Sequence, residues 1–195
     1  MTSSHLTLAS TSPQRRAILE QLAIPFEAVP PAYVEHDLVT DRYKAVELVR
    51  GHAEGKARSI HRDGSLTLGV DTTVVLDGQI YGKAADALEA ARMLGELAGR
   101  THTVLSGLCL LGAGEDVLAH EVTDVTFRAL PKEAVDAYVS SGEWEGRAGA
   151  YAIQGRGGRL VERIDGDYLN VVGLPGALLV SLLEERAPNL LQTRR

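Results

Sequence analysis

The sequence predicts a β-sheet covered by helices, in the α/β or α+β class, and two observations carry that prediction. Segments of alternating apolar residues, typical of strands, occur among segments whose apolar residues recur at helical spacing. The two kinds of segment do not alternate strictly, which disfavours a doubly wound, all-parallel sheet. With 195 residues, 45% of them hydrophobic, the chain is long enough for one sizeable core. We therefore expect a single domain over residues 1–195.

The first elements predicted are a strand over residues 5–9 and a helix that begins at Ser12. Ser12 is a good N-cap and Pro13 suits the first helical position, so the turn between the two elements offers free backbone N–H groups. These groups, the positive end of the helix dipole, the hydroxyl of Ser10 and the guanidinium groups of Arg15 and its neighbour predict an anion site. An ordinary helix start is the alternative, although arginine in the first turn opposes the dipole.

A short extended segment over residues 24–29 and a polar loop containing Glu35 lead into a helix predicted over residues 41–60. Apolar residues recur on one face of this helix, and the same face carries His52 and Lys56. We interpret His52 as a core or boundary residue rather than a ligand. Lys56 is either a functional group or a lysine that buries its stem and keeps its charge in water.

The next two strands form a hairpin. Residues 66–76 are mostly apolar, and an Asp-Gly pair supplies a tight turn before a returning strand over residues 79–81. Asp71 lies within the first strand, where an unpaired carboxylate is costly, so it needs a metal, a cation or a catalytic role. Pairing across the hairpin predicts that the ammonium group of Lys83 lies near Asp71.

The second half of the chain predicts both helices and strands. Helices are expected over residues 86–98, 131–139 and 175–185. Strands are expected over residues 101–111, 117–130 and 160–164. A glycine-containing turn joins the two long strands as an antiparallel pair, and a second such turn is expected at residues 171–175. Residues 187–195 are expected to fray.

Composition excludes several classes of function. The net charge of −6 and the pI near 5.5 argue against bulk electrostatic binding to nucleic acid or to an anionic membrane. Cys109 is the only cysteine and lies in an apolar run, which excludes an internal disulfide and predicts a buried structural thiol in a reducing compartment. The sequence has no signal-peptide pattern and no apolar run long enough to span a bilayer, so we expect a cytoplasmic location.

Other conspicuous residues are interpreted structurally. The Gly-Arg run over residues 155–159 is predicted to be a turn between two strands rather than a phosphate- or RNA-binding loop. His102 is predicted to be a hydrogen-bonded structural residue, since a lone histidine without zinc-ligand spacing seldom binds a metal. Trp144 is equally consistent with packing a loop and with stacking on a base.

A series of motifs occurs in order between residues 8 and 175. They are LASTSP with Arg15, GVDT at residues 69–72, GK at 82–83, GRTHTVLSG at 99–107, AGAYAIQG at 148–155 and NVVGLP at 170–175. Together they resemble the Maf family of nucleoside triphosphate pyrophosphatases over nearly the whole chain. The resemblance implies an α/β, two-lobed fold of the Maf and inosine triphosphatase type around a mixed, partly antiparallel sheet, with the active cleft between the lobes. It also implies a homodimer.

The resemblance further implies hydrolysis of a nucleoside triphosphate to a monophosphate and pyrophosphate with a divalent cation, Mg²⁺ or Mn²⁺. It makes Asp71 the catalytic base and, with Glu35, a metal ligand. The substrate-binding positions fall on Ser10, Arg15, Lys56 and Lys83. The positions that set base specificity fall on Gln14, Thr72 and Gln154.

Thr72 and Gln154 match the branch of the family that cleaves dTTP and UTP, and modified pyrimidine nucleotides are a further expected substrate. Gln14 departs from that branch, which usually has arginine there, and Ala84 stands where a proline usually follows the lysine. Two alternatives keep the same reaction with another base: a purine and a 7-methyl-GTP pyrophosphatase. A third is a nucleotide-binding regulator of cell division without catalysis. The joint presence of catalytic and phosphate-binding residues favours an enzyme.

Overall fold

The computed structural model describes residues 5–35, 42–112 and 114–192. Its strands are β1 (Leu6–Ala9), β2 (Phe26–Val29), β3 (Leu66–Leu76), β4 (Gln79–Tyr81), β5 (Thr101–Leu111), β6 (Val117–Phe127) and β7 (Val161–Asp165). Its α-helices are α1 (Pro13–Gln21), α2 (Arg42–Arg58), α3 (Ala87–Leu97), α4 (Lys132–Val139), α5 (Tyr168–Val172) and α6 (Gly176–Arg186). Short 3₁₀ helices occur at Arg156–Arg159 and Pro188–Leu190.

The strands form one seven-stranded sheet in the order β2-β1-β3-β5-β6-β7, with β4 paired to β3 outside this path. Strand β1 is parallel to both β2 and β3, whereas β3, β5, β6 and β7 pair antiparallel in succession. The α/β class with a mixed, partly antiparallel sheet is therefore confirmed. The predicted antiparallel pairing of the two long strands, β5 and β6, is confirmed as well.

Helix α2 lies unusually close to β3 and β5 because each strand carries a glycine beneath it. A Cβ atom on Gly69 would lie 2.0 Å from the carbonyl oxygen of Ala53, and one on Gly107 would lie 2.1 Å from that of Val49. Any larger residue would push the helix off the sheet. The close approach brings the side chains of α2 within reach of Asp71 on β3.

Two large apolar clusters share the central strand β3. One cluster joins α1 and α6 to β1 and to the first part of β3, as far as Val70. The other joins α3 and α4 to the later part of β3, from Val74, and to β5 and β6. Residues 71–73 lie between the two sets along β3. Each part of the sheet thus has its own core, and the polar centre of β3 falls between them.

One helix was not predicted. The turn expected at residues 171–175 is preceded by α5, where the side chain of Asp167 accepts a hydrogen bond from the backbone N–H of Leu169. Gly173 ends the helix with a φ of 129°, a backbone conformation that favours glycine. A segment this short has too little hydrophobic periodicity to be recognised as a helix.

The chain after residue 187 packs on the core instead of fraying as expected. Ala187 and Leu190 are 6% and 3% exposed, and Leu191 packs against the same cluster as α1 and α6. Burial of these apolar side chains, rather than distance from the chain end, orders the segment. Residues 193–195 lie outside the described part of the chain.

The composition led to two expectations, which concern the thiol of Cys109 and the capacity of the helices to cross a membrane. Cys109 is a free, buried thiol on β5, and burial raises its pKa to about 12, which makes it unreactive. Within the described ranges, each helix is too short or too polar to cross a membrane.

Candidate active site

A cleft of about 730 Å³ opens beside the polar centre of β3, a volume in the range that accommodates a nucleotide-sized ligand. Its walls come from the β1–α1 turn, from α2 and β3, and from the segments 145–148 and 171–173. Every residue that the sequence predicted for the site lines this cleft: Ser10, Gln14, Arg15, Glu35, Lys56, Asp71, Thr72, Lys83 and Gln154. The chain therefore brings these residues together from six separate segments.

The β1–α1 turn is built as the sequence predicts. Ser12 is extended, with a φ of −66° and a ψ of 120°, and its side chain accepts a hydrogen bond from the backbone N–H of Arg15. Its own N–H donates to the Oγ atom of Ser10 at 3.1 Å. Arg16, which was expected to contribute a second guanidinium group, is exposed and lies outside the cleft lining. The anion site thus has one cleft-facing guanidinium in this turn.

The guanidinium group of Arg15 joins the turn to two other parts of the chain. It donates through Nε to the carbonyl oxygen of Gly173 at 2.9 Å, and to the hydroxyls of Ser10 and Thr72 at 3.3 Å each. Desolvation lowers the pKa of Arg15, whereas the carboxylates of Asp71 and Glu35 oppose that change. Arginine nonetheless keeps its charge in proteins, so the cleft has a fixed, oriented cation.

Asp71 lies 8% exposed and has a separate cationic or polar partner for each oxygen. Its Oδ1 atom accepts a hydrogen bond from Nζ of Lys56 at 2.6 Å, and its Oδ2 atom lies 3.2 Å from Nδ1 of His52. Lys56 also lies 2.5 Å from Oε1 of Glu35 and is only 7% exposed. The interpretation of Lys56 as a lysine with a solvated charge is therefore wrong, because two carboxylates replace water around its ammonium group.

These contacts control the charge of Asp71. Burial by itself raises the pKa of a carboxyl group, but the hydrogen bond from His52, the charge and hydrogen bond of Lys56, and the charge of Arg15 outweigh it. The pKa of Asp71 is consequently lowered to about 2. The same hydrogen bond raises the pKa of His52. Asp71 is thus ionised at neutral pH and suited to hold a cation or orient a water molecule.

The cation paired with Asp71 is Lys56 rather than Lys83. Strand β4 ends at Tyr81, which pairs with Val74, so the hairpin stops before pairing reaches Asp71. Lys83 forms an isolated antiparallel bridge with Ala148 and lies on another wall of the same cleft. The pairing itself does not extend to Asp71, but Lys83 lines the same cleft, and its proximity to Asp71 stays a prediction.

Within the described ranges, Glu35, His52 and Asp71 form a group that could hold a metal ion. Their potential ligand atoms all lie within 4.8 Å of one another. The carboxylates of Glu35 and Asp71 suit Mg²⁺ or Mn²⁺, which prefer oxygen ligands, and the ionised state of Asp71 favours binding. Glu35 and Asp71 belong to the predicted site, whereas sequence reasoning missed His52. The i, i+4 spacing of His52 and Lys56 on one helix face is the signal that could have found it.

Comparisons with known proteins show which family the chain belongs to. A family model described as Maf-like protein matches residues 5–186 of the chain. The chain belongs to the Maf family. Curated relatives named dTTP/UTP pyrophosphatase are found in Symbiobacterium thermophilum, 46% identical over 92% of this chain and 93% of the relative, and in Nitratidesulfovibrio vulgaris, 47% identical over 95% and 90%. Another, from Thermococcus onnurineus, is 45% identical over 92% and 96%.

Among solved structures, the Maf-family chain is similar to a HAM1 protein from Coxiella burnetii. The TM-score is 0.53, and the match covers 95% of this chain and all of that chain. At 16% sequence identity, this likeness shows a shared fold only.

The residues that were predicted to set base specificity in this Maf-family chain differ in how firmly they are held. The hydroxyl of Thr72 lies 2.9 Å from that of Ser106 and also donates to the carbonyl oxygen of Gly173 at 3.3 Å. The side-chain oxygen of Gln14 accepts a hydrogen bond from Oγ of Ser12 at 3.0 Å. Gln154 is exposed on the cleft wall. Of the predicted specificity residues, Gln154 is the one whose amide is most accessible to a ligand.

Arg147 is a second basic residue of the cleft that sequence reasoning missed. It lies beside the bridge between Lys83 and Ala148 and lines the same wall. Its Nε atom is buried with no hydrogen-bond partner among the described residues. The small residues on either side favoured a purely structural interpretation of this segment, and no local pattern distinguishes Arg147 from a surface arginine.

The residues interpreted as structural are packed accordingly. Nε1 of Trp144 donates to the carbonyl oxygen of Val139 at 3.0 Å, which favours the packing interpretation over stacking on a base. The Gly-Arg run forms the 3₁₀ helix Arg156–Arg159, whose first N–H groups donate to the carboxylate of Glu143 at 3.0 Å. The predicted turn between two strands is therefore a 3₁₀ helix that leads into β7, and the segment before it contributes only an isolated bridge at Ala148.

Proposed function

We propose that this chain is a nucleoside triphosphate pyrophosphatase that hydrolyses dTTP and UTP at the α–β linkage, releasing a nucleoside monophosphate and pyrophosphate. The observation that carries the proposal is the buried, ionised Asp71 held by Lys56 in the cleft that Arg15 and Lys83 also line. Buried cations around one carboxylate suit a polyanionic substrate and an attacking water molecule. The names of the relatives that are 45–47% identical support the preference for dTTP and UTP.

The phosphate-binding groups come from two walls of the cleft. On one wall, Ser10 and the guanidinium group of Arg15 meet at the N-terminus of α1, where the helix dipole also favours an anion. Arg15 would act as an oriented fork, because Gly173 already holds its Nε atom. On the other wall, Lys83 would act as a point charge, and Nε of Arg147, which has no hydrogen-bond partner among the described residues, would offer a further donor.

Asp71 and Glu35 would hold the divalent cation together with the phosphates. Mg²⁺ or Mn²⁺ bound there supplies Lewis-acid stabilisation of charge on the leaving pyrophosphate. The two carboxylates fit this role, since they offer the oxygen ligands that these cations prefer and their ligand atoms lie within 4.8 Å of each other. Lys56 lies between the two carboxylates in the protein alone and balances their charge.

Asp71 would orient the attacking water and accept its proton. In the protein alone, its pKa of about 2 makes it a weak base. A bound triphosphate would compete with Asp71 for the ammonium group of Lys56, which contacts Oδ1 in the protein alone. Release of Lys56 would leave Oδ1 free to accept a hydrogen bond from the attacking water.

The test is the release of pyrophosphate, as distinct from orthophosphate, from canonical and modified nucleoside triphosphates with Mg²⁺ or Mn²⁺. Asp71→Asn serves as the inactive variant. Asp77→Asn, which makes the same chemical change in the exposed turn between β3 and β4, serves as the matched control. Pyrophosphate from dTTP and UTP that disappears only in Asp71→Asn is the expected result. Product from purine or 7-methyl-GTP substrates alone would overturn the base preference, and no turnover at all would favour a nucleotide-binding regulator.

Base preference is expected to depend on Gln154. Gln154→Glu replaces an amide that both donates and accepts hydrogen bonds with a carboxylate that only accepts, so the preference for pyrimidines should fall by about tenfold, the equivalent of one hydrogen bond. The ratio of kcat/KM for UTP to that for GTP measures the effect. An unchanged ratio would remove Gln154 from base recognition.

The assembly and location expected from the sequence belong to the same proposal: a homodimer of single-domain chains in the cytoplasm, without nucleic-acid or membrane partners. Sedimentation analysis tests the dimer, and fractionation of cells that express the chain tests the location.

A further inference from the structure

The side chain of His52 has a contact that the proposed mechanism leaves unused. It lies 4% exposed on the cleft side of α2, and its Nδ1 atom is 3.2 Å from Oδ2 of Asp71. An ionised carboxylate can only accept hydrogen bonds, so the imidazole Nδ1 must be the donor. The ring of Tyr33 packs on the other side, with its centroid 5.8 Å from that of His52. The imidazole is therefore enclosed and directed at the carboxylate.

His52 contacts one oxygen of Asp71 and Lys56 contacts the other, but the two side chains differ in conformational freedom. The ammonium group of Lys56 ends a long flexible chain and has a second carboxylate, Glu35, 2.5 Å away. The imidazole of His52 has a short side chain on a helix that Gly69 and Gly107 allow to pack against the sheet. The longer side chain of Lys56 has more room to move from Oδ1 to another anion than the shorter side chain of His52 has to leave Oδ2.

We propose that His52 is a positioning residue for hydrolysis, which holds Oδ2 of Asp71 so that Oδ1 is the oxygen presented to the attacking water. This inference rests on the proposed function, because it gives the base of that reaction an orienting partner. Without His52, the carboxylate of Asp71 can rotate about its Cβ–Cγ bond and presents either oxygen. The residue acts through Asp71 and need not touch the substrate.

The geometry predicts a specific pattern of rescue. His52→Leu fills the space without a donor, whereas His52→Asn carries an amide nitrogen at the same number of bonds from the backbone as Nδ1. We expect kcat for dTTP to fall by about ten- to a hundredfold in His52→Leu with KM little changed, because orientation of the base is lost but phosphate binding is retained. His52→Asn should recover most of that loss.

His61→Leu is the matched control. This histidine lies just beyond the same helix, donates to or accepts from Thr67 at 2.9 Å, and lies outside the cleft lining. Its substitution should leave kcat within about twofold of that of the unmodified chain. Thermal unfolding of every variant separates loss of the fold from loss of orientation.

The outcomes are distinguishable from failure of the proposed function itself. If the unmodified chain releases no pyrophosphate, the proposed function fails and this inference fails with it. If the unmodified chain is active and Asp71→Asn is not, His52 alone is under test. Full activity in His52→Leu would then overturn the positioning role. An equal loss in His52→Leu and His52→Asn, or a loss that appears in KM rather than kcat, would assign His52 to packing or binding instead.

Discussion

Two histidines of this protein are almost fully buried, one in the cleft and one in an aromatic cluster, and they behave in opposite ways. His52 is 4% exposed and His102 is 1% exposed, so burial does not distinguish them. The hydrogen bond to the carboxylate of Asp71 raises the pKa of His52. Among the described residues no carboxylate hydrogen-bonds to His102, and burial lowers its pKa to about 4 against the weaker influence of the charge of Asp124. The charge of the neighbouring group, rather than the extent of burial, decides which form is stable.

The two surroundings also differ in what they do for the protein. Nε2 of His102 lies 2.9 Å from the hydroxyl of Tyr151, and both rings make edge contacts with Phe127 at centroid distances of 4.9 Å. The prediction of a hydrogen-bonded structural role for His102 is confirmed. This neutral cluster supports the wall that carries Tyr151 and Gln154. The cleft instead concentrates opposite charges, which is costly for folding but prepares the site for a charged substrate.

Removing the charge of Asp71 should have the largest effect on the cleft. In Asp71→Asn, we expect kcat to fall by two to four orders of magnitude, roughly the contribution of a general base, while nucleotide binding stays measurable. In the same variant without metal, the pKa of His52 should fall, as that of His102 does, because its carboxylate partner is gone. Pyrophosphate release and NMR titration of the histidines measure the two effects. Near-normal turnover in Asp71→Asn would contradict the assignment of Asp71 as the catalytic base.

The pH dependence of the free energy of unfolding should reveal the lowered pKa of His102. The folded protein keeps this histidine neutral down to a pKa of about 4, whereas an unfolded histidine takes up a proton near pH 6.5. The stabilisation is therefore fully present above pH 6.5 and is lost as the pH falls towards 4, by about 3 kcal/mol in all.

His102→Gln keeps a partner for Tyr151 but cannot titrate, so the difference in free energy of unfolding between the two proteins should shrink across this window. Urea unfolding at several pH values measures it. Asp71 does not interfere, because its pKa, lowered from 3.8 to about 2, places its own contribution at lower pH. A constant difference from pH 7 to pH 4 would contradict the prediction.

Replacing glycine with alanine in these two regions should change the free energy of unfolding in opposite directions. In Gly69→Ala, the new Cβ would lie 2.0 Å from the carbonyl oxygen of Ala53 beneath the cleft helix, so the free energy of unfolding should fall by about 1–3 kcal/mol. Gly95, within α3 on the side of the aromatic cluster, has open space around its Cα. Gly95→Ala should raise the free energy of unfolding by about 0.5–1 kcal/mol. Chemical unfolding of both variants checks the signs, and destabilisation by Gly95→Ala would contradict the argument.

Much of this arrangement is predictable from local patterns. Strands β3, β4 and β5 have the predicted bounds, Ser12 caps α1, and α3 begins one residue after its predicted start because Asp86 is its N-cap. Apolar alternation in strands, helical spacing of apolar residues and helix capping all depend on residues close together in the chain. They can therefore be recognised directly in the sequence. The ordered motifs likewise identified residues that all line one cleft.

Tertiary packing decided which of those residues meet. Lys56 is 15 residues from Asp71 in sequence, and His52 is 19 residues away, and both reach it from a different element. No periodicity within α2 or β3 encodes that contact, because it depends on how closely the helix lies over Gly69 and Gly107. The sequence alone therefore determined most of the elements and many of the cleft residues, but not α5, His52 or Arg147. Long-range packing determined that Lys56, rather than Lys83, balances Asp71 and that His52 orients towards it, since electrostatic pairing depends on distance in space.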